Sequence, residues 1–322
     1  MNWSVLPRWW DQHQIPLYLS AIALGAALGL AAPRVAPAAE ATINPILMAL
    51  LYATFLSIPL TRLKEALGDL KFLASVLVLN FLMVPVVVFS LSRFIAHDQV
   101  LLAGFLLVLL APCIDYVIVF TGLAGGAHDK LLAATPLLML VQILFIPFYM
   151  GLMMRDGDDF LQIIDRTAFG TAFLTLIIIP LLLAALTQKL KIEKIMELCE
   201  GIMVPLMMLT LAVVVTSQID AVSHQLGKLL QVIPLYIAFL VIMIPVGMGT
   251  AKLFKQQPAA TRAVVFSGAT RNSLVVLPLA LAFPPALGLA AVVVVTQTLI
   301  ELIGMVIFVR LIPLLVKELG ER

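Results

Sequence analysis

Two apolar runs in this chain are long enough to cross a bilayer, and each is broken at its centre by residues that do not belong in hydrocarbon. The first, Leu101 to Ala124, contains Ala111-Pro112-Cys113-Ile114-Asp115. The second, Ala263 to Phe283, contains Ser267-Gly268-Ala269-Thr270-Arg271-Asn272. One break carries an acid and the other a base. An ionised side chain near the middle of a spanning segment costs about 3 kcal/mol even on a lenient insertion scale. Proline removes a helix hydrogen bond, and glycine weakens the backbone beside it. Freed backbone groups at membrane depth are tolerated only where they face protein or a water-filled cavity. The expectation is therefore that the two breaks cross and form the two halves of one site, with Asp115 and Arg271 within pairing distance.

That these runs lie in a membrane follows from the chain as a whole. Hydrophobic residues make up 62% of 322 positions and charged residues 12%, with a mean hydropathy of +1.12. A soluble domain of this size could not keep so much apolar side chain from water. Ten apolar runs of spanning length can be marked. They are Ile15 to Ala32, Ile43 to Leu60, Phe72 to Leu91, Val100 to Ala124, Leu131 to Met153, Ala168 to Leu186, Ile202 to Gln218, Leu229 to Ala251, Ala263 to Phe283 and Leu287 to Phe308. The expected fold is all-α and polytopic.

Placing the N-terminus inside puts fourteen of the twenty Lys and Arg on the inner side, among them Arg262, against five outside, with Arg271 within the membrane. That asymmetry predicts cytoplasmic termini in the cell membrane. The acidic stretch Asp156, Asp158, Asp159 then falls outside. Trp3, Trp9 and Trp10 read as an interfacial anchor, without the apolar core of a signal peptide. No basic patch suggests nucleic acid, and no Walker motif suggests ATP-driven work. Nothing points to an enzyme or a cofactor.

The chain also carries an internal repeat. Asn44-Pro45-Ile46-Leu47-Met48 resembles Val204-Pro205-Leu206-Met207-Met208, and Pro85 follows the first motif at the same interval as Pro245 follows the second. Asp115 precedes Gln142 much as Arg271 precedes Gln297. Residues 1–165 and 166–322 then form two halves of five helices each. An odd number makes the halves upside down relative to one another, the pattern of secondary transporters with discontinuous helices at the midplane.

The polar residues within the runs are the candidates for chemistry. For Asp115 and Arg271 two readings stay open: a permanent ion pair locking the crossing, or a pair that also meets substrate or a proton. Glu301 lies one turn after Gln297 and one turn before Gly304, a polar stripe that should face the bundle. It suits a proton carrier, or equally a carboxylate that satisfies the backbone ends of the broken helices. Asn80 in the third run, Gln142 in the fifth, and Ser267, Thr270, Asn272 and Ser273 at the second break can ligate a solute or ion, or only satisfy neighbouring helices. Cys113 reads either as a small packing residue or as a thiol ligand for a soft element such as trivalent arsenic or antimony. Cys199 falls at a helix end, so no disulfide with Cys113 is expected. His13, His97, His128 and His224 all lie in loops or flanks, and no resident metal site is expected. Lys189 to Glu200 reads as an interfacial connector between the halves.

These residues resemble the bile acid/sodium symporter superfamily, through the ten-run repeat, the two breaks and Asn80-Phe81-Leu82-Met83-Val84-Pro85. Within it, Ala111-Pro112-Cys113 followed by Val117, Val119 and Gly126 is similar to the arsenical-resistance permeases, whose fourth helix carries a Pro-Cys pair. Ala269-Thr270-Arg271-Asn272 answers their ninth-helix Ala-Ser-Asn stretch, and Leu299-Ile300-Glu301 answers their tenth-helix glutamate. The resemblance implies a core domain of helices 3 to 5 and 8 to 10 moving against a panel of helices 1, 2, 6 and 7. It implies efflux of arsenite or antimonite in exchange for protons, with Cys113 as the functional thiol and Glu301 as the membrane carboxylate.

On this reading Cys113, Arg271, Asn272 and Asn80 bind substrate. Asp115, Glu301, Gln297, Gln142, Ser267 and Thr270 handle the coupling ion, a proton ahead of sodium. The chain departs from the pattern at Asp115 and Arg271, where the arsenite carriers are expected to have small or uncharged residues. In the sodium-coupled branch a glutamate stands where this chain has Ser267, and a glutamine where it has Arg271, so a cation lies where sodium would bind. The alternative is an organic-anion symporter with Arg271 as anion anchor. A membrane scaffold or receptor would need no midplane charges.

Overall fold

The computed structural model describes residues 9–10, 13–57, 68–114, 116–154, 174–224, 226–281, 283 and 287–317. Among them every regular element is helical, apart from one isolated antiparallel bridge. In chain order the helices are α1 (Gln14–Ala31), α2 (Ala36–Ser57), α3 (Leu70–Ile95), α4 (Gln99–Leu109), α5 (Tyr116–Leu123) and α6 (His128–Met153). Then come α7 (Ile179–Lys189), α8 (Glu193–His224), α9 (Leu226–Leu253), α10 (Pro258–Ala269), α11 (Ser273–Leu281) and α12 (Leu289–Leu315). Among the described residues six stretches are long and apolar enough to cross a membrane: Pro33–Leu56, Leu70–Ile95, His128–Met153, Glu193–Ser217, Gly227–Leu253 and Leu289–Leu315. The fourth and ninth apolar runs are instead each divided into two short helices, α4 with α5 and α10 with α11.

The chain splits into two compact units, Met1–Ile58 with Arg166–Leu226, and Pro59–Asp165 with Gly227–Arg322. In the first, α8 packs along α1 and α2, and α2 along α7. The α1–α8 approach depends on Gly25 and Gly29, four residues apart on one face. A Cβ at Gly25 would lie 2.5 Å from the Ala212 carbonyl oxygen, and one at Gly29 would lie 2.7 Å from that of Thr216. Thr216 uses the closeness to donate its hydroxyl to the Gly25 carbonyl at 3.0 Å. Small residues that bring backbones together, with a hydroxyl across the seam, are a standard way to hold helices where water supplies no hydrophobic drive. Gln188 at the end of α7 donates to the last carbonyls of α2, Phe55 at 3.3 Å and Leu56 at 2.9 Å.

Residues 189–200 do not form a separate connector. Lys191 has a φ of 52° and ends α7, and α8 is already helical from Glu193, nine residues before the seventh run was expected to begin.

In the second unit the broken helices are enclosed. From Leu101 to Leu109 α4 is buried on every side, as is α10 from Ala263 to Ala269. Helix α12 packs on α4, α5 and α11, while α10 packs on α3, α5 and α6. The surrounding helices turn apolar side chains outward: Leu144 is 72% exposed, Val241 60% and Ile303 62%. Large apolar side chains facing out over enclosed polar ones suit hydrocarbon and not water.

Local irregularities in this unit have identifiable causes. In α3, Leu79–Met83 forms a π turn just before Pro85. Proline has no N–H for the Phe81 carbonyl, which instead accepts the Tyr149 hydroxyl at 2.5 Å. Asp69 caps α3 by accepting from Phe72 N at 3.1 Å and pairs with Lys130 at 2.6 Å. Lys130 holds the Asp69 carboxyl below its ordinary range.

Arg262, expected in an inner loop, lies buried in α10. It donates to Val316 O from Nε (3.1 Å) and Nη2 (2.9 Å), and from Nη1 to Ala124 O and Gly125 O (both 3.3 Å). Its charge is solvated by carbonyls at the ends of α5 and α12, which have no helical partners of their own. Gly125, at a φ of 64°, makes that turn possible. The boundary between residues 165 and 166, Asp156, Asp158, Asp159 and Trp3 lie outside the described residues.

The close approach of α1 and α8 yields a direct test. Gly25→Ala should lower the melting temperature of the detergent-solubilised protein, at a cost of about 1–3 kcal/mol, because backbone must move. Gly249→Ala on α9, where an added Cβ meets nothing within 4 Å, should be neutral or stabilising by up to about 1 kcal/mol.

Candidate functional site

The two breaks form for different local reasons. Pro112 has no N–H to continue α4 and pushes the preceding Ala111 out of helical geometry. In the second, Thr270 is extended, with φ −87° and ψ 136°. Its N–H reaches Phe266 O at 3.0 Å, and its hydroxyl turns back to the same carbonyl. Gly268 is not the breaking residue, since it sits within the last turn of α10. A Cβ there would lie 2.6 Å from Leu79 Cδ2, so its role is to let α3 approach. Asn272 restarts the chain by accepting from Val275 N at 3.1 Å, an N-cap for α11.

The freed backbone groups then satisfy one another. Pro112 and Arg271 face each other in the antiparallel bridge. Cys113 N donates to Thr270 O at 3.2 Å, and Asn272 N donates to Ala111 O at 2.8 Å. Two interrupted helices therefore cross by a short piece of strand pairing, fully inside the unit.

Glu301, from α12, fastens this crossing. It is wholly buried. Its Oε2 accepts from Arg271 N at 2.8 Å and from Gln297 Nε2, one turn away on the same helix. Its Oε1 lies 2.6 Å from the hydroxyl of Tyr116, the first residue of α5. That hydroxyl also lies 2.9 Å from the Arg271 carbonyl. One carboxyl group thus contacts both breaks.

The Arg271 side chain turns to the other side and is also wholly buried. Nη2 donates to Ser267 O at 2.6 Å, Gly268 O at 2.8 Å and Asn80 Oδ1 at 2.8 Å. Nη1 donates to Leu109 O at 3.3 Å. The guanidinium lies 5.6 Å from the centre of the Phe239 ring. Asn80 sits in the π turn of α3 and donates to Val76 O at 3.0 Å and Ser267 Oγ at 2.8 Å, which orients its oxygen towards Arg271.

Of the residues singled out from the sequence, the structure gathers Asn80, Ser267, Thr270, Arg271, Asn272, Gln297, Glu301 and Cys113 at the crossing. The Cys113 side chain is 0% exposed there. Asp115 lies outside the described residues. Gln142, on α6, is buried, with no hydrogen-bond partner for Oε1 among the described residues. Arg271 Nε, Asn272 Nδ2, Ser273 Oγ and Gln297 Oε1 are likewise buried without a partner there, unusual for native polar groups and pointing to a ligand or water.

Sequence reasoning missed Tyr116 and Phe239. Tyr116 had a visible signal, a phenol directly after the first break. Phe239 had none, being one aromatic in a continuous apolar run. Among the described residues no group of three metal-ligating side chains is present.

The sodium bile acid symporter family model matches residues 44–225, from α2 through α8, including the first break. No curated protein matches the chain. With more than half of its length matched by that model, the chain belongs to the sodium bile acid symporter family.

Proposed function

We propose that the protein is a secondary active transporter that couples movement of a small anionic solute to protons taken up and released at Glu301. The observation that carries this reading is the Tyr116 hydroxyl. It has one hydrogen and, among the described residues, two acceptors beside it, Glu301 Oε1 at 2.6 Å and Arg271 O at 2.9 Å. When Glu301 is ionised, that hydrogen cannot serve both fully. When Glu301 carries a proton on Oε1, the carboxyl donates to the phenol and the phenol donates to the Arg271 carbonyl. Adding or removing one proton therefore changes whether the Tyr116 hydrogen goes to Glu301 on α12 or to the Arg271 carbonyl at the second break, the kind of local difference a proton-coupled device needs. Gln297 and the Arg271 N–H keep Oε2 in place in both states.

Further support comes from the layout of the second unit. Gln99 and Pro258 open equivalent broken helices at an offset of about 160 residues, as two inverted repeats with a midplane site would require. On this reading the unit containing the crossing is the moving core, the other unit is the panel, and the Lys and Arg bias puts both termini in the cytoplasm of a cell membrane.

The substrate class follows from the buried groups without partners. Arg271 Nε, Asn272 Nδ2 and Ser273 Oγ can all donate, and the last two stand at the start of α11, where the helix dipole favours negative charge. These favour an oxyanion such as an organic carboxylate. A second reading, arsenite or antimonite efflux, rests on Cys113, whose thiol stands one residue from the bridge between Pro112 and Arg271. It requires the crossing to open, because that side chain is fully enclosed.

Reconstituted into vesicles, the protein should take up a suitable organic anion in response to an imposed pH gradient and ignore a sodium gradient. Glu301→Gln should reduce the pH-driven rate by about tenfold or more while leaving substrate exchange intact. Uptake driven by sodium and indifferent to pH would contradict the proposal. Protection of arsenite-sensitive cells by the native protein, lost in Cys113→Ala, would favour the metalloid reading over the anionic one.

A further inference from the structure

Away from the crossing, the C-terminal ends of α3 and α6 enclose a cleft of about 740 Å³. Its walls are Leu82, Val86 and Phe89 from α3 and Leu152 from α6, all of them exposed. Its floor follows the irregularity of α3: Pro85 lies there, with Tyr149, whose hydroxyl is held on the Phe81 carbonyl of the π turn. At one end stands Arg93, half-buried, in the turn that closes α3. Its guanidinium carbon lies 4.6 Å from the centre of the Phe89 ring, and Nη2 donates at 3.3 Å to the carbonyl of Met153, the last residue of α6. One cation thus bridges the ends of both helices at the end of an apolar cleft.

The dimensions match one leaflet of a bilayer. Leu82 and Arg93 are eleven residues apart, which at 1.5 Å per residue is about 16 Å along α3. The hydrocarbon of a bilayer is about 30 Å thick. The deep end of the cleft adjoins the π turn whose Asn80 reaches the crossing, and the shallow end is where α3 stops. An arginine at the end of a spanning helix reaches headgroup level, and its forked donors match phosphate oxygens. None of the described lining residues is acidic, so no carboxylate there would receive the ammonium of a zwitterionic headgroup. We propose that the cleft is a binding site for one anionic phospholipid, with an acyl chain against Leu82, Val86 and Leu152 and the phosphate on Arg93. The chain lies over Pro85 and Tyr149, so the bound lipid supports the π turn that delivers Asn80. The inference concerns the outer face of the unit and depends on neither the solute nor the coupling ion.

The test reads lipid binding, not transport, so it can fail or succeed independently of the proton-coupled reading. Thermal unfolding of the purified full-length chain in detergent would be followed with three additions. These are dioleoyl phosphatidylglycerol, phosphatidylcholine with the same chains, and glycerol phosphate, which keeps the headgroup chemistry without the chains. Phosphatidylglycerol should raise the native midpoint by about 2–3 °C at roughly ten times its dissociation constant. Phosphatidylcholine should give a clearly smaller rise, and glycerol phosphate none. Arg93→Gln should make the two lipids equivalent. Val86→Trp, which fills the cleft from an exposed position, should weaken the response to both. Arg310→Gln, which removes an exposed cation from α12, should keep the native preference. The proposal is overturned if the native protein does not distinguish the two lipids, or if glycerol phosphate reproduces the rise. It is equally overturned if the preference survives in Arg93→Gln or Val86→Trp, or is lost in Arg310→Gln. Where Arg93→Gln is not recovered folded, Val86→Trp decides.

Discussion

A backbone that leaves the helix inside hydrocarbon has to find partners for every group it frees, and in this molecule the two interrupted helices supply each other. Cys113 N meets Thr270 O, and Asn272 N meets Ala111 O. Each such group left unmet would cost several kcal/mol, so neither break is tenable without the other. Everything else at the crossing is arranged around that mutual dependence. Asn272 and Thr270 manage the restart and the stop of their helices, and the absence of a Cβ at Gly268 gives α3 room to deliver Asn80.

The crossing also explains how two charged residues survive wholly enclosed. Glu301 is stabilised by three donors, from Arg271 N, Gln297 and Tyr116. Arg271 is stabilised by carbonyls and an amide oxygen. The acid is solvated by N–H and O–H groups, and the base by the oxygens of helix ends. Buried ions are retained in this way when complementary dipoles replace their water. It also leaves the acid free to change protonation without altering the acceptors of the Arg271 side chain, which among the described residues are neutral oxygens.

Much of this architecture was legible in the sequence because it was written in exceptions. Pro112, Arg271, Glu301 and Asn80 stand out against an apolar background, and the expense of each in hydrocarbon predicted that they would be drawn together. The direction of Arg271 was not legible. Charge alone suggested a carboxylate partner in Asp115, which lies outside the described residues; among those described, the acceptors are the Asn80 amide oxygen and three main-chain oxygens, which every sequence possesses and no sequence displays. The same holds for Arg262, which reads as a loop cation until the ends of α5 and α12 are seen to need it. Gly268 was read as a weak point, but its meaning depended on a neighbour contributed by α3. Tyr116 was overlooked although a phenol directly after the first break was a visible signal, because its partners come from Arg271 and Glu301, far along the chain.

The pairing of the two breaks is open to a chemical measurement. Residues opposite one another in an antiparallel pair have Cα atoms roughly 4.5–5.5 Å apart, within the reach of a disulfide. In a Cys199→Ser background, Thr270→Cys places a thiol across from the native Cys113. Mild oxidation in the membrane should join the two peptides in high yield, as read by mass spectrometry after digestion. If Cys113 and the introduced thiol are both alkylated after oxidation and no joined peptide forms, the helices do not cross as described.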